Sequence, residues 1–578
     1  MCRTLLFLFI AVLSKVVHAQ RPFEFNFENK INKVENFHNR KFSILNYYDE
    51  KLKNISNQDS TEKKAILRDL KKWNRKFWID EYYLGAQATV QNKAKIDFDG
   101  VETILSLREE NTTRDQSTNW ANLGPLNGDD GVGRADVIAF HPTNNQIIYT
   151  GTPHGGLFVS YNAGNNWSSI SSYLPSLGIA AICINPTNPN IIYVLSGDRN
   201  GGNGYDAQSL GAFKTIDGGG VWTKLSSLPF TGIFTSRDMI MDPNNPNKII
   251  VSTSDGIATS LDGGASWFPA MSGTNIYEIK FKPGNGAIVY AVGSDAFYKS
   301  TNGGLSFANM GITELSPSIR ISMAVTPDNP NKIALFAGKS GQNCLVGVFI
   351  SNDSGNTFVN VYNNNSDNLF YNYLDNNVTN NQVTYNNCIA IHPYNENTIL
   401  VGGLCVWTSH DGGYTWSQTT AYWPASNIWD EYIHPDQHDI EFNGAILYIA
   451  NDGGVYKSVN GGTIFDFKSN GLSATQFFHF ERKNNNNSIW GGAQDNGIME
   501  HGTNGNFETY FGGDGYDMMT DHDYNVQNGE GNNTFYTVNE GIRRYSPINP
   551  WDDDISVPGN TSFFGNLAMS PNDEDDIW

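Results

Sequence analysis

A pattern of eight residues recurs seven times between residues 160 and 465. Each copy begins with Ser or Thr, has Asp or Asn at its third position, Gly at its fifth and Trp or Phe at its eighth. The copies follow one another at intervals of about 40 to 58 residues, which is typical of folds built from a repeated supersecondary unit. The seven octets are SYNAGNNW (160–167), TIDGGGVW (215–222), SLDGGASW (260–267), STNGGLSF (300–307), SNDSGNTF (351–358), SHDGGYTW (409–416) and SVNGGTIF (458–465).

A second element precedes most octets and consists of a hydrophobic strand, a turn rich in Pro and Asn, and another strand rich in β-branched residues. INPTNPNIIYVLSG and MDPNNPNKIIVSTS are two examples. With the octet and the strand after it, this element predicts four antiparallel strands per unit, joined by tight turns. Units of four strands in series are the blades of a β-propeller. We therefore predict an all-β fold, a multi-bladed β-propeller.

About nine blades are visible in the sequence. Residues 475–512 and 514–546 have the strand pattern without the octet, and residues 563–578 begin a further unit that stops unfinished. Because an incomplete sheet exposes its edge, we expect either a fragment of a longer protein or last strands that come from elsewhere. Two arrangements stay open: one ten-bladed ring, or a seven-bladed domain to about residue 470 followed by the start of a second domain.

The polar residues of the octet have a structural explanation. Asp or Asn at the third position can accept hydrogen bonds from backbone N–H groups of its own turn, and Gly at the fifth can take a positive φ. The aromatic residue at the eighth position fills the space between neighbouring sheets. We therefore interpret the third-position residues as turn formers and not as catalysts: Asn162, Asp217, Asp262, Asn302, Asp353, Asp411 and Asn460.

The N-terminal part of the chain differs from the rest. Residues 1–19 have the basic start, apolar run and small-residue exit of a secretory signal peptide. Residues 20–115 lack the octet, and apolar residues at helical spacing from Ile66 to Phe77 predict an amphipathic helix there. The propeller is expected to occupy residues 116–578. No later apolar stretch approaches the roughly 18 residues that a membrane helix needs, so we expect a secreted or cell-surface protein.

The formal net charge is −21. Nucleic acid is an unfavourable partner for such a chain, because phosphate neutralisation requires a basic surface. An acidic propeller suits neutral sugars, cations or basic peptides.

Four cysteines remain after removal of the signal peptide, too few and too scattered for a disulfide-dense scaffold. A bridge between Cys388 and Cys405 is one alternative, and buried free thiols are the favoured one. The four are Cys183, Cys344, Cys388 and Cys405.

With its octets and its P-x-N-P-N turns, residues 120–578 resemble the Asp-box (BNR-repeat) propeller superfamily. That group includes sialidases, xyloglucanase-type glycosidases, the sortilin receptor propeller and photosystem-assembly factors. The later segments HPDQHDIEF (434–442), GGAQDNGI (491–498) and FGGDGYD (511–517) are similar to secreted bacterial sortilin-like proteins with BNR repeats. The resemblance implies the propeller fold, and export through a C-terminal sorting domain, but no particular chemistry.

Two enzyme classes of this superfamily leave recognisable residues. A sialidase has Arg-Ile-Pro near its first blade, and that tripeptide does not occur here. The xyloglucanase-like family is expected to have a catalytic Asp in a T-D-I-G-G segment before its first octet, where this chain has Pro153. An inverting glycosidase needs two carboxyl groups about 6.5–9.5 Å apart, so the loss of one makes that mechanism a secondary hypothesis. The acidic loops could supply another pair.

The polar residues from 434 onward are the strongest site candidates. His434, Asp436 and His438 alternate and would share one face of an extended strand, which raises the alternative of a bound divalent cation, although the outer two would be about 13 Å apart. Gly-rich positions of successive units add further polar residues, and in a propeller such loops converge at one end of the central channel. The predicted ligand-binding residues are Asp436, His438, Asp452, Gln494, Asp495 and Asp514, with Asn496 beside them.

The sequence favours a propeller that binds a glycan, a peptide or an extracellular protein without a catalytic motif and without a cofactor. The alternatives are a xyloglucanase-like glycoside hydrolase with a reorganised acid pair, and a structural or adhesion module. A hydrolase would need two carboxylates in a cleft with aromatic platforms nearby. The candidate platforms are Trp407, Trp423 and Trp429.

Overall fold

The structure is a computed structural model. It describes residues 124–126, 131–171, 174, 176–200, 209–230, 234–341, 344–363, 368–370, 382–422, 432–482, 488–501, 507–520, 534–538, 541–545 and 553–555. The predicted signal peptide, the predicted helix from Ile66 to Phe77 and the final partial unit lie outside these residues.

The prediction of an all-β, multi-bladed propeller is confirmed. The described residues form nine sheets of four antiparallel strands, and in each sheet the strands follow one another in chain order. Most neighbouring strands are joined by a hairpin or a short loop, as the alternation of strand and turn patterns predicts. Longer stretches separate the strand Ile192–Ser196 from Ala212–Thr215 and the strand Gly515–Thr520 from Thr534–Val538. Within the residues that the structure describes, a short 3-10 helix, Thr313–Leu315, interrupts the strands.

The strands of sheets one to five have the following bounds. Sheet one comprises β1 Val137–Phe140, β2 Ile148–Gly151, β3 Leu157–Ser160 and β4 Ser168–Ser169. Sheet two comprises β5 Ile179–Ile184, β6 Ile192–Ser196, β7 Ala212–Thr215 and β8 Thr223–Lys224. Sheet three comprises β9 Ser236–Asp242, β10 Asn245–Thr253, β11 Gly256–Ser260 and β12 Phe268–Ser272. Sheet four comprises β13 Ile276–Lys282, β14 Asn285–Gly293, β15 Phe297–Ser300 and β16 Ala308–Asn309. Sheet five comprises β17 Arg320–Val325, β18 Ile333–Gly338, β19 Leu345–Ser351 and β20 Val359–Tyr362.

Sheets six to nine continue the series. Sheet six comprises β21 Cys388–Ile391, β22 Ile399–Gly402, β23 Val406–Ser409 and β24 Ser417–Gln418. Sheet seven comprises β25 Gln437–Asn443, β26 Ile446–Asn451, β27 Gly454–Ser458 and β28 Asp466–Phe467. Sheet eight comprises β29 Phe477–Arg482, β30 Ile489–Ala493, β31 Gly497–His501 and β32 Phe507–Phe511. Sheet nine comprises β33 Gly515–Thr520, β34 Thr534–Val538, β35 Gly541–Tyr545 and β36 Asp553–Ile555.

The first strands of sheets one to seven form a closed ring. Each first strand packs beside the first strand of the next sheet, and β25 of sheet seven packs beside β1 of sheet one. The backbone N–H of Ala135 donates to the carbonyl of Asn451, and that of Val132 donates to Gly453, so the chain before β1 is hydrogen-bonded to the end of β26. Sheets eight and nine pack on each other after the ring. Whether sheets eight and nine are the start of a second domain stays a prediction.

Apolar clusters fill the spaces between the sheets of the ring, because the middle strands are buried on both faces. Sheets seven and one share such a cluster, in which Ile138, Phe158 and Trp167 pack with Tyr448 and Leu472. Burial of apolar side chains is the dominant favourable term in folding. Apolar packing therefore stabilises the closing junction between sheets seven and one, as it stabilises the other junctions.

The seven octets form the turns between the third and fourth strands of sheets one to seven. In the sixth copy, Ser409 Oγ donates to Asp411 Oδ1 at 2.8 Å, and the same carboxylate oxygen accepts the backbone N–H groups of Tyr414 and Thr415 at 3.0 Å. Gly413 N donates to Ser409 Oγ at 2.8 Å. The other six copies repeat the first and last of these contacts. The third-position side chains are therefore engaged in their own turns.

The four described cysteines are buried free thiols. Cys388 and Cys405 do not form the bridge that was the alternative. The thiol of Cys388 lies 3.6 Å from the carbonyl of Gln437 in the next sheet. In the part of the chain that the structure describes, no helix has the length and apolar character to span a membrane.

Candidate functional site

A pocket lies where sheet eight meets the closing junction of the ring. It is a small, partly open hollow of about 190 Å³ that includes solvent at its mouth and has room inside for about one water molecule. Its walls come from the segment before β1, from the end of β26 and from the β30–β31 hairpin. The lining residues are Gly133, Arg134, Asp452, Gln476, Gln494, Asp495 and Asn496.

The acidic residues of this pocket occupy the turn between the second and third strands of their sheets. Asp452 follows β26 and Asp495 follows β30. The corresponding turn of sheet one contains Pro153, at the position where the xyloglucanase-like pattern has Asp. Because consecutive hairpins of an antiparallel sheet lie at opposite ends, these turns lie at the end of the sheets opposite the octets. The carboxylates of the pocket and those of the octets are therefore separate sets.

Asp452 is 1% exposed and is surrounded by three donors. His438 Nε2 lies 2.7 Å from Asp452 Oδ1, and the hydroxyl of Tyr385 donates to Asp452 Oδ2 at 2.9 Å. Arg134 Nε lies 3.7 Å from the same carboxylate. Burial would raise the pKa of Asp452, but the field and hydrogen bond of His438 and the charge of Arg134 outweigh it, and the pKa is lowered. Asp452 is therefore a buried carboxylate that stays ionised.

Arg134 connects Asp452 to acidic residues of sheets one and two, since Asp136 lies just before β1 and Asp198 shortly after β6. Its guanidinium contacts Asp136 at 2.7 Å and Asp198 at 3.2 Å. It also stacks over the ring of Tyr385, with its Cζ 4.7 Å from the ring centroid. One guanidinium thus faces three carboxylates, and the cluster has a net negative charge.

Asp495 differs from Asp452 because it is only half-buried and faces the pocket. Its backbone N–H donates to Asp514 Oδ1 at 3.0 Å. Burial and the negative charges of Asp452, Asp514 and Asp436 raise the pKa of Asp495 well above its ordinary value. A carboxyl group held in its protonated form can donate a proton.

Asp436 lies behind these groups, immediately before β25. It is 9% exposed, and Asn386 Nδ2 donates to its Oδ1. Burial and the field of Asp452 raise the pKa of Asp436 well above the ordinary value. The backbone φ is +64° at Asp436 and +56° at Asp495, a region that non-glycine residues seldom adopt and that is common at functional sites.

The structure brings the predicted ligand-binding residues together. Among the described residues, their arrangement is not that of a metal-binding group. His434 and His438 do not share a ligand: His434 Nε2 lies 2.8 Å from the carbonyl of Asp495, whereas His438 contacts Asp452. The positive φ at Asp436 breaks the extended strand that the alternation predicts. Within the described residues, no group of three or more His, Cys, Asp and Glu side chains is arranged to hold a metal ion. A bound cation stays an untested prediction.

The aromatic platforms were expected in sheet six, and Trp407 does not serve as one. It is 2% exposed and packs in the apolar cluster between sheets five and six. Trp423 and Trp429 lie outside the described residues. An exposed aromatic residue connected to the site through Tyr516 is Phe478 of β29, which is 44% exposed with its ring 5.4 Å from that of Tyr516, whose hydroxyl contacts Asp514.

Several residues of the site were not nominated from the sequence. Arg134, Asp136 and Asp198 approach Asp452 only because the ring closes, and Tyr385 belongs to an Asn-rich stretch without a motif. The one available signal was the Gly-Val-Gly-Arg-Ala-Asp run at 131–136, where Gly131 and Gly133 have φ of +145° and +107°.

These features define the class of the protein as a β-propeller with an acidic pocket at the junction of its sheets. No family model matches the chain. Solved structures of similar fold include the GH74 enzyme of Niastella koreensis, with a TM-score of 0.55, 18% sequence identity and coverage of 78% of this chain and 70% of that one. The GH74 xyloglucanase of Xanthomonas campestris has a TM-score of 0.51 at 14% identity, covering 74% of each chain.

Curated sequence relatives are of the same kind. The chain is 27% identical to a xyloglucanase of Hypocrea jecorina over 169 residues, which are 27% of this chain and 19% of that protein. It is 21% identical to the xyloglucanase Xgh74A of Acetivibrio thermocellus over 373 residues, which are 54% of this chain and 41% of that protein. The chain thus spans about two fifths or less of the length of these relatives.

The interpretation of the chain as a binding propeller without catalytic activity is therefore wrong. Its sequence relatives are xyloglucanases, and the propellers of similar fold are GH74 enzymes. Pro153 replaces the expected catalytic Asp in sheet one, but the same turn in sheets seven and eight has Asp452 and Asp495.

Proposed function

We propose that this chain forms part of a glycoside hydrolase that acts outside the cell on a polysaccharide of the xyloglucan type. The observation that supports this most directly is the pocket wall at Asp495, where burial and the neighbouring acids raise the pKa of a carboxyl group that lines the pocket. The similarity to xyloglucanases supports the substrate class. The signal peptide predicted for residues 1–19 supports export.

Asp495 is the proton donor in this proposal. Cleavage of a glycosidic bond requires protonation of the leaving oxygen, and a carboxyl group with a raised pKa performs this step near neutral pH. Asp495 faces the pocket and retains its proton. Asp452 is unsuited to the role because it is buried and ionised.

Asp514 is the second carboxylate. It is half-buried and adjoins Asp495, whose backbone N–H it accepts, and its other oxygen accepts the hydroxyl of Tyr516 at 2.9 Å. The inverting mechanism requires the carboxyl groups of Asp495 and Asp514 to lie about 6.5–9.5 Å apart in the complex with substrate, with Asp514 taking a proton from the attacking water while the water oxygen bonds to the anomeric carbon. The glycosidic bond breaks at the same time, and the leaving oxygen receives the proton of Asp495.

The test compares Asp495→Asn, Asp514→Asn and the wild-type protein on xyloglucan, with release of reducing ends as the readout. Asp411→Asn is the matched control, since it makes the same chemical change at an octet position where Asn occurs naturally in three other copies. We expect both site variants to lose at least about 100-fold in kcat, because general acid or base catalysis contributes on the order of 10²–10⁴, and the control to stay near wild type.

A second substrate separates the two roles. An aryl xyloglucan oligosaccharide with a dinitrophenol leaving group needs no protonation, so Asp495→Asn should retain most of its activity on it while Asp514→Asn should not. A wild-type protein without activity on xyloglucan and related β-glucans would contradict the proposal. Full activity of Asp495→Asn on xyloglucan would contradict the assignment of the donor.

A further inference from the structure

We infer that Asp452 is a fixed buried charge that keeps the proton on Asp495, and that it thereby sets the upper pH limit at which the pocket works as an acid. The inference rests on the proposed function in taking Asp495 as the proton donor. It makes Asp452 a positioning residue, since its carboxylate acts through Asp495 and not on the substrate.

The contacts of Asp452 hold it in the ionised form. His438, which is 1% exposed, and the hydroxyl of Tyr385 occupy its two oxygens at 2.7 and 2.9 Å, and Arg134 approaches within 3.7 Å. A protonated Asp452 would lose acceptor capacity toward these donors. Because the group is 1% exposed, solvent screens its charge only weakly.

A short link connects Asp452 to the hairpin of Asp495. Asn496, the residue after Asp495, donates from Nδ2 to the backbone carbonyl of Asp452 at 3.2 Å and to that of Gln494 at 2.9 Å. Asn496 is 2% exposed, and its Oδ1 has no hydrogen-bond partner although it lines the pocket. The link holds the two turns together, and the unsatisfied oxygen marks a position for a hydroxyl group of a bound ligand.

The charges that face Asp495 from the surrounding elements are mostly negative. The neighbouring turn contributes Asp452, the segment before β33 contributes Asp514, and the segment before β25 contributes Asp436, with the His434 ring on the Asp495 carbonyl. The cation among the pocket-lining residues is Arg134, which also contacts Asp136 and Asp198. The titratable and charged groups of the pocket and of its surroundings are Arg134, Asp136, Asp198, Tyr385, His434, Asp436, Asp452 and Asp514.

Like charges at close range disfavour a second ionisation. After burial, the field of Asp452 is the largest cause of the raised pKa of Asp495 and also of Asp436. Removing that charge should let Asp495 ionise at lower pH. The observable consequence is the alkaline limb of the pH–activity profile, where activity falls as the donor loses its proton.

The experiment records kcat/KM for xyloglucan against pH in Asp452→Asn, Asp452→Glu and Asp411→Asn. We expect Asp452→Asn to move the alkaline limb by about one pH unit toward acid. Asp452→Glu restores the charge and should return the limb toward its wild-type position, and Asp411→Asn should leave it in place. An unmoved limb in active, folded Asp452→Asn overturns the inference while the proposed function stands.

A direct titration separates this inference from the failure of the proposed function. In protein labelled with ¹³C at the aspartate carboxyl carbons, the Asp495 signal is assigned by its absence in Asp495→Asn. We expect it to titrate above its ordinary range in the wild type and lower in Asp452→Asn. If Asp452→Asn does not fold, the wild-type protein still decides, because titration of Asp495 near the ordinary value of about 4 overturns the inference.

Discussion

The hydroxyl of Tyr516 donates a 2.9 Å hydrogen bond to Oδ2 of Asp514, so an aromatic residue of β33 fixes the orientation of a carboxylate at the candidate site. Phe478 extends this aromatic surface into solvent, since its ring lies 5.4 Å from that of Tyr516 and is 44% exposed. Sugar rings stack on such surfaces, and the pocket and the platform together suit a polymer longer than the pocket itself.

Phe478→Ala is expected to weaken substrate binding more than catalysis. Loss of a stacking contact worth about 0.5–1.5 kcal/mol should raise KM for xyloglucan by about 2–10-fold and leave kcat within about 2-fold. Steady-state kinetics checks this. Tyr414→Ala is the control, because Tyr414 is 61% exposed but lies in an octet, at the other end of the sheets. A large fall in kcat with unchanged KM would assign Phe478 a different role.

Asp439 predicts a pH dependence of stability. It lies on β25, and its Oδ2 accepts the backbone N–H of Ile138 at 2.9 Å across the closing junction. Burial and the charge of Glu441 raise the pKa of Asp439 to about 7. The folded chain therefore binds a proton that the unfolded chain has released, so the stability contributed by the neutral group is complete below about pH 4 and is lost as pH rises toward 7.

The measurement is the apparent Tm of wild type and Asp439→Asn between pH 4 and 8. Asn keeps an oxygen for Ile138 and cannot ionise, so its Tm should exceed that of the wild type by about 2–4 °C at pH 8, with the difference vanishing near pH 4. A constant difference across this range would mean that Asp439 does not titrate in it.

Asp411 predicts the opposite pH dependence. Although burial opposes it, the hydrogen bonds from Thr415 and Ser409 lower the pKa of Asp411 to about 2. Its stabilisation is present above about pH 4 and is lost as pH falls toward 2. Asp411→Ala should cost about 1 kcal/mol at pH 7 and Asp411→Asn much less, as judged by urea unfolding midpoints. Equal losses in the two variants would show that the turn requires charge and not an acceptor.

Gly133→Ala should destabilise the ring closure. A Cβ at Gly133 would lie 2.2 Å from the backbone of Ala474, and φ is +107°. Gly211 has φ of +93° with nothing within 4 Å of such a Cβ, so Gly211→Ala reports the backbone strain alone. We expect Gly133→Ala to lose about 1–3 kcal/mol more than Gly211→Ala in urea unfolding. Equal losses would mean that the backbone near Ala474 moves away at little cost.

The cysteines offer a check on the packing. Burial raises the pKa of Cys183, Cys388 and Cys405 well above the ordinary range, and thiolates are the reactive form. The folded protein should therefore resist a thiol reagent, and Cys183, Cys344, Cys388 and Cys405 should all react after unfolding without reductant. Two missing thiols in that experiment would reveal a disulfide.

The repeat was readable from the sequence because its cause is local. An octet determines its own turn through contacts such as Asp411 with Thr415, four residues apart, and the strands alternate with turns of recognisable composition. The number of sheets that close a ring is a different matter. The number of sheets in the ring depends on the packing between whole sheets, for example where Trp167 packs with Leu472. The repeat period of 40 to 58 residues does not reveal that number.

The site was readable only in part for the same reason. Asp452 and Asp495 stood out because Gly-flanked acids recur in one position of successive units. The electrostatic roles of Asp452 and Asp495 depend on Arg134 and Tyr385, which lie near them only because the ring closes. The strand periodicity misjudged His434 and His438, because one residue in the left-handed region, Asp436, turns the chain between them.

The closing junction also determines when the pocket comes into existence. Ile138 and Asp439, which meet there, are 301 residues apart in the chain, and Asp495 and Asp514 are added later still. During synthesis, sheets one to six can fold in succession while Arg134 has no Asp452 to face. Under the proposed function, hydrolytic activity would appear only after the chain beyond sheet seven has emerged, so its onset would report the packing of sheet eight on a ring that is already closed.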